Sequence, residues 1–291
     1  CSSDLNEIAA LPVDIVARIA EAFRMPPVPP PRALPQADAY DLVLQSRDAA
    51  ARDDRTKARE LAERAVRVAP GYAEAWTQLA RAFAATGSSA PGADEFYGIS
   101  AIERRAIEAG ARAAQLGANN GLAHAANAAA LVAAGRWEPA LAEAERALAL
   151  APNDYDVLVT LGNVVFPRVG DSGRAVAAMR RALAVDPFAE AATLGGFGRS
   201  LFWNGDHDEA VAVLRRCVAQ APADAACRLN LVAALVVVGE RDAARALVPE
   251  FLKLVPSYSI TEDADMMSRR YNSSPQVEKF LNALRAASVP E

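Results

Sequence analysis

The apolar positions of this 291-residue chain fall at helical spacing, and the spacing itself recurs along the chain. Pro152, Pro187, Pro222 and Pro256 stand 35, 35 and 34 residues apart, each closing a stretch in the manner of Arg146-Ala-Leu-Ala-Leu-Ala-Pro152. Between the prolines come a turn glycine (Gly135, Gly170, Gly205, Gly239) and a small residue early in the next stretch (Ala140, Ala175, Ala210, Ala244). This pattern predicts two antiparallel helices per unit. Glycine ends the first helix in a left-handed residue, and proline prevents the second from continuing. The small residues mark where two helix backbones approach closely.

Composition supports helix over sheet. Hydrophobic residues make up 52% and aromatics only 6%, so the apolar content is mostly Ala, Leu and Val. A formal charge of −5 disfavours a general nucleic-acid or anionic-membrane binder. The longest apolar run, Leu231 to Val238, is far short of the roughly 20 residues that a membrane-spanning helix needs.

The unit resembles the tetratricopeptide repeat, a helix-turn-helix of 34 residues. Trp76, Leu79, Ala80, Phe83 and Gly87 stand at that family's bulky, small and turn positions. The resemblance implies an all-α, right-handed superhelix of stacked helix pairs. Six units can be laid out, at 39–70, 73–118, 121–152, 155–187, 191–222 and 225–256. The second carries an insert, Ser88 to Tyr97, and has Ala118 where a closing proline would fall; the first has Asp53-Asp54 in place of the turn glycine. A buried Trp76 would cost about 3–5 kcal/mol to truncate to Ala.

Outside the array, residues 4–24 read as a helix, with Val13, Ile15, Val16, Ile19, Ala20 and Phe23 at helical spacing within an N-terminal segment, 1–25. Residues 26–38 read as a proline-rich linker. In the tail, 257–291, a helix from about Pro275 to Ala287 places Val277, Phe280, Leu281 and Leu284 on one stripe, as a solenoid cap should. Both ends are similar to the segments flanking the repeats in bacterial adenylate cyclase-like and TolB-like repeat proteins, which implies the regulatory half of a larger cytoplasmic signalling protein. A chain opening on Cys1, with no methionine before Met25, agrees with a piece of a longer protein. The alternatives are the regulatory region of a nucleotide cyclase or transcriptional regulator whose N-terminal domain is missing here, and a lipid-anchored envelope protein processed at Cys1.

No catalytic constellation, metal site or cofactor motif emerges. Asp206, His207, Asp208 and Glu209 are the ordinary acidic start of a second helix, and Gly195, Gly196 and Gly198 lack dinucleotide-binding spacing. Cys217 and Cys227 are expected to be two buried thiols, and His124 a packing residue at the register of Trp76.

By the resemblance, the first helix of each unit lines a concave groove. The groove residues so implied are Tyr40, Arg47, Arg81, Asn163, Phe166, Arg199, Phe202 and Trp203, among largely apolar neighbours. Such a surface suits a protein or peptide partner with hydrophobic anchors and occasional acidic groups, and leaves self-association open. The N-terminal helix 4–24 could itself lie in the groove, which would make Phe202 and Trp203 internal packing residues.

Overall fold

The computed structural model describes residues 37–52, 54–86, 101–272 and 274–291. The expected helix 4–24, most of the linker and the insert 88–97 lie outside these residues. Among the described residues there is no strand, and fourteen helices follow one another. They are α1 (Ala37–Ala51), α2 (Arg55–Val68), α3 (Ala73–Thr86), α4 (Ala101–Leu116), α5 (Gly121–Ala133) and α6 (Trp137–Leu150). Next come α7 (residues 155–169, interrupted at Leu161–Val165), α8 (Ser172–Val185), α9 (Ala191–Asn204) and α10 (His207–Gln220). The last four are α11 (Ala225–Val237), α12 (Arg241–Leu254), α13 (Ile260–Arg270) and α14 (Ser274–Ala286).

Local chemistry sets the helix ends. Asp54, Asp154, Asp171 and Asp224 each accept a hydrogen bond from the backbone N–H three residues on, at 2.9–3.0 Å, satisfying a donor that the first turn leaves free. Gly135, Gly170, Gly205 and Gly239 hold φ between 68° and 95°, so the turn inside each of these pairs needs a residue without Cβ.

From α1 to α12 each helix packs on its successor, α13 packs on α14, and first helices also pack on the next first helix: α1 on α3, α3 on α5, α5 on α7, α7 on α9, α9 on α11. The inner positions of α5 are almost all alanine, with Ala123, Ala125, Ala126, Ala128 and Ala130 fully buried, so its neighbours close in on a thin helix. The largest core joins α9 to α12 with the tail through Leu214, Leu235, Phe280 and Leu284.

A recurring contact links successive pairs, and three different residue types make it. Trp76 Nε1 donates to Pro70 O (2.8 Å) and Arg228 Nη2 to Pro222 O (2.9 Å), while His124 Nε2 lies 3.1 Å from Ala118 O. All three stand at the same register of a first helix and reach six residues back, to the carbonyl where the preceding pair ends. Trp76 is therefore half-buried rather than fully buried, because its indole N–H must reach that carbonyl. His124 is a buried packing residue whose Nδ1 sits 2.6 Å from Glu143 Oε2.

The tail differs from expectation in one element and the cysteines in their state. Residues 260–270, to which the sequence reading assigns no element, form α13, where Ser259 Oγ accepts from the Glu262 N–H. Cys217 and Cys227 are joined in a disulfide with Cα atoms 5.9 Å apart, not two thiols. The turn between α10 and α11 brings them face to face, and Gly195 on α9 leaves room for both sulfurs.

Candidate functional site

The two 35-residue intervals have different causes. Gly170 stands 15 residues after Tyr155, whereas Gly135, Gly205 and Gly239 stand 14 after Gly121, Ala191 and Ala225. The extra residue of the fourth pair is taken up inside α7, where Leu161–Val165 form a π turn. In the fifth pair it lies between helices, in the link carrying Phe188, which is 91% exposed.

One added residue turns everything beyond it by about 100° around the helix. Phe166 therefore does not face the groove. It occupies the register of Phe83, both are buried, and each carries a guanidinium on its ring, Arg174 at 4.3 Å and Arg105 at 4.6 Å. The groove side passes instead to Arg168, which sequence reasoning missed. Pro167 has no N–H to donate to Asn163 O, and Arg199 Nη2 bonds that carbonyl from α9 at 3.1 Å. Ser200 Oγ donates to Gly162 O at 3.4 Å.

The expected groove positions that remain accessible lie toward the N-terminal pairs. Tyr40 is half exposed on α1 and Arg47 is exposed about two turns on. Arg81 sits deep in the concavity with its side chain still 32% exposed, and it pairs with Asp156 at 3.9 Å, over the thin α5. Burial lowers the Arg81 pKa, Asp156 works against that, and the charge of Arg47 adds to the lowering. The Asn163 amide lies over Gly196, so close that a Cβ at 196 would fall 2.0 Å from Oδ1.

Phe202 and Trp203 are covered, and among the described residues the cover is the C-terminal tail; the expected helix 4–24 lies outside these residues. Phe202 is 2% and Trp203 8% exposed. Phe280 of α14 meets the Phe202 ring edge-on at 5.9 Å, and Tyr271 meets Trp203 edge-on at 4.5 Å. The Asn272 N–H donates to Arg168 O at 2.7 Å, fixing the segment after α13 against the end of α7. Lys279 Nζ lies 2.7 Å from His207 Nε2, and burial together with that ammonium pushes His207 below the ordinary histidine range. The imidazole therefore accepts from Lys279. A cleft of about 620 Å³ remains between α11 and α14, lined by Val236, Val237, Arg241 and Lys279 among others.

The acidic run at the start of α10 disperses. His207 goes to Lys279, Glu209 to Arg180, and Asp206 accepts from Asn204 Nδ2. Among the described residues no group of three or more His, Cys, Asp or Glu could hold a metal ion. Gly195, Gly196 and Gly198 each receive a neighbouring side chain: the two cysteine sulfurs, the Asn163 amide and Leu214.

Residues 201–249 match the tetratricopeptide repeat family. No curated protein sequence matches the chain. Among solved structures, a thermophilic tetratricopeptide repeat protein of Thermus thermophilus is similar over 68% of this chain and 99% of its own, at 22% identity and a TM-score of 0.53. The Cut9-Hcn1 assembly of the APC/C is similar over 80% of this chain but 42% of that one, at 19% identity and a TM-score of 0.58. PilW, a type IV pilus biogenesis factor, is similar over 74% of this chain and 92% of its own, at 17% identity and a TM-score of 0.53. At these identities the likeness is one of fold. Residues 201–249 thus carry tetratricopeptide repeat sequence, and the stacked helix pairs around them share the fold of solved tetratricopeptide repeat proteins.

Proposed function

We propose that the chain is a protein-interaction scaffold that receives a peptide segment along the concave side of its first helices. The observation that carries this reading is a column of polar groups at one shared register. Arg47, Arg81, Asn163 and Arg199 stand at the ninth position of the repeat unit in pairs one, two, four and five. A purely structural inner face would place small or apolar residues there, as Ala129 and Ala233 do in the other two pairs. The helix-pair fold serves protein–protein interaction in general; the groove as its seat in this chain is the specific part of the proposal. It assigns no catalytic residue and no cofactor.

The test is affinity capture with quantitative mass spectrometry, comparing the full chain with Arg47→Glu/Arg81→Glu and with Arg64→Glu/Arg216→Glu, a pair exposed on second helices. Partners that disappear from the first variant and persist with the second support the groove. Partners retained by a folded Arg47→Glu/Arg81→Glu protein refute it. A setting in a bacterial signalling protein of the cytoplasm rests on the resemblance of the two chain ends. The coding sequence upstream of Cys1 tests that part: a cyclase or winged-helix domain supports it, and a signal peptide with a lipid-attachment motif replaces it with the envelope reading.

A further inference from the structure

Two features have no part in the polar column of the groove, and they stand on opposite edges of the array. The first is an aromatic knob. Phe188 (91% exposed) and Val185 (52%) are the most exposed large apolar side chains among the described residues. Phe188 lies in the lengthened link between α8 and α9, directly after Pro187; after the corresponding Pro152 and Pro222 come Asn153 and Ala223. Packing within the chain therefore does not call for a ring there. Asp186 Oδ1 accepts a hydrogen bond from the Phe188 N–H at 2.9 Å, which holds the turn that presents the ring. Glu190 is exposed and makes no capping hydrogen bond, so the knob carries a carboxylate two residues to either side.

The second feature is the cleft of about 620 Å³ between α11 and α14. Val236, Val237 and Ala283 give it an apolar wall, and Arg241 and Lys279 stand beside them, opposed by Glu278. Arg241 is exposed. Lys279 donates to the uncharged imidazole of His207, a bond that leaves its positive charge uncancelled. Val236 and Val237 end α11 and Arg241 opens α12, so the cleft lies at the edge of the array that carries the turn glycines. Phe188 lies at the other edge, just before α9 begins. The length of a first helix separates the two, 14 residues in α9 and so about 20 Å.

We propose that the Phe188 knob of one copy of this chain enters the α11–α14 cleft of a second copy. Shape and charge agree: a ring set between two carboxylates meets an apolar hollow set beside two cations. A protruding aromatic side chain is the usual energetic centre of such a contact. One chain does not make the contact with itself, since its own Phe188 stays exposed. With knob and cleft on opposite edges the contact is heterologous, so every bound copy still offers a free knob or a free cleft and copies add head to tail. One loop in one cleft is a small interface, which gives a reversible association with Kd between about 1 μM and 1 mM. The proposal goes beyond the peptide reading, because neither Phe188 nor Arg241 belongs to the column at the ninth position.

Sedimentation velocity of the full chain, from about 5 to 300 μM, gives the test. The weight-average sedimentation coefficient of the wild type should rise with concentration without levelling off at a dimer, and rising salt should weaken the association. Phe188→Ser and Arg241→Glu, both at exposed positions, should each weaken it about tenfold or more with the circular dichroism spectrum unchanged. Asn282→Trp, which fills the cleft from another exposed position, is the second cleft variant and should do the same. The decisive sample is a mixture. Phe188→Ser keeps its cleft and Arg241→Glu keeps its knob, so the two together should associate again and stop at a dimer. A wild type that stays monomeric throughout, or that associates equally well with Phe188→Ser, would overturn the proposal. A wild type that levels off at a dimer would overturn the head-to-tail arrangement, and a mixture that stays monomeric would overturn the pairing of this knob with this cleft.

Discussion

Replacing Gly198 by Ala tests how closely the helices of the fifth pair approach. A Cβ at 198 would lie 2.4, 2.6 and 3.2 Å from Cγ, Cδ2 and Cδ1 of Leu214, a fully buried side chain on α10. Ordinary contact needs more than an ångström of additional room. Leu214 branches at the atom that is hit, so it can yield only by leaving its rotamer or by parting α9 from α10. Such overpacking costs about 1–3 kcal/mol, and the helix propensity gained over glycine returns about 0.8–1.0 kcal/mol. The expected net is a destabilisation of about 1 kcal/mol. Gly173→Ala is the counterpart, since a Cβ there meets nothing nearer than 3.7 Å, and it should stabilise the chain by up to about 1 kcal/mol. Urea unfolding followed by far-ultraviolet circular dichroism gives both values. The double variant Gly198→Ala/Leu214→Ala should be more stable than the sum of its parts by about 1–3 kcal/mol, because the new methyl enters the space that Leu214 vacates. If Gly198→Ala stabilises as much as Gly173→Ala, the close approach of α9 and α10 is wrong.

Three further outcomes follow from individual contacts. Burial and the neighbouring Lys279 depress His207, so the unfolded chain takes up a proton at higher pH than the folded one; stability is full above the ordinary histidine value, about 6.5, and is lost as pH falls through the folded value. His207→Gln should flatten that part of the pH profile of the urea midpoint. Burial raises Asp263, with Tyr258 and Arg270 opposing, so its contribution to stability is greatest below the ordinary carboxylate range and is lost as pH rises through the folded value. Asp263→Asn should therefore stabilise the protein at pH 7, the advantage over wild type vanishing below about pH 4 in the same measurement. Trp76→Phe should cost about 0.5–1.5 kcal/mol by urea unfolding, the value of the lost Pro70 hydrogen bond and less than truncation of a fully buried tryptophan.

The repeat was legible in the sequence because glycine and proline act through the backbone. A left-handed turn needs Gly135 or Gly205 whatever surrounds it, and Pro152 or Pro222 stops a helix without tertiary help. The contact at the joint between pairs was hidden for the opposite reason. Trp76, His124 and Arg228 share no size, charge or hydropathy, and only the position of a carbonyl six residues back makes them equivalent. The tail was half legible. The stripe of α14 could be read, whereas α13 begins at a serine cap and has only a thin apolar stripe, Ile260, Ala264 and Met267, set among Thr261, Glu262, Asp263 and Asp265, and the sequence reading passed over it.

The groove was misread at one point, and a single residue explains it. Transferring family positions assumes that α7 keeps the α-helical period, which assigns Phe166 to the groove and Arg168 to another face. Two facts in the sequence argued against that period: the interval to Pro187 is one residue too long, and Pro167 stands inside the helix, where it cannot donate to Asn163 O. Taken together they require an interruption between Tyr155 and Gly170, but they do not say on which side of Asn163 it falls. The structure places it at Leu161–Val165 and gives Arg199 the carbonyl that Pro167 leaves unbonded. That one turn buries an aromatic residue, presents a guanidinium in its place and ties α7 to α9. The register position that holds Trp203 in the fifth pair thereby falls to Arg168 in the fourth, without any change in the spacing of the glycines and prolines that follow.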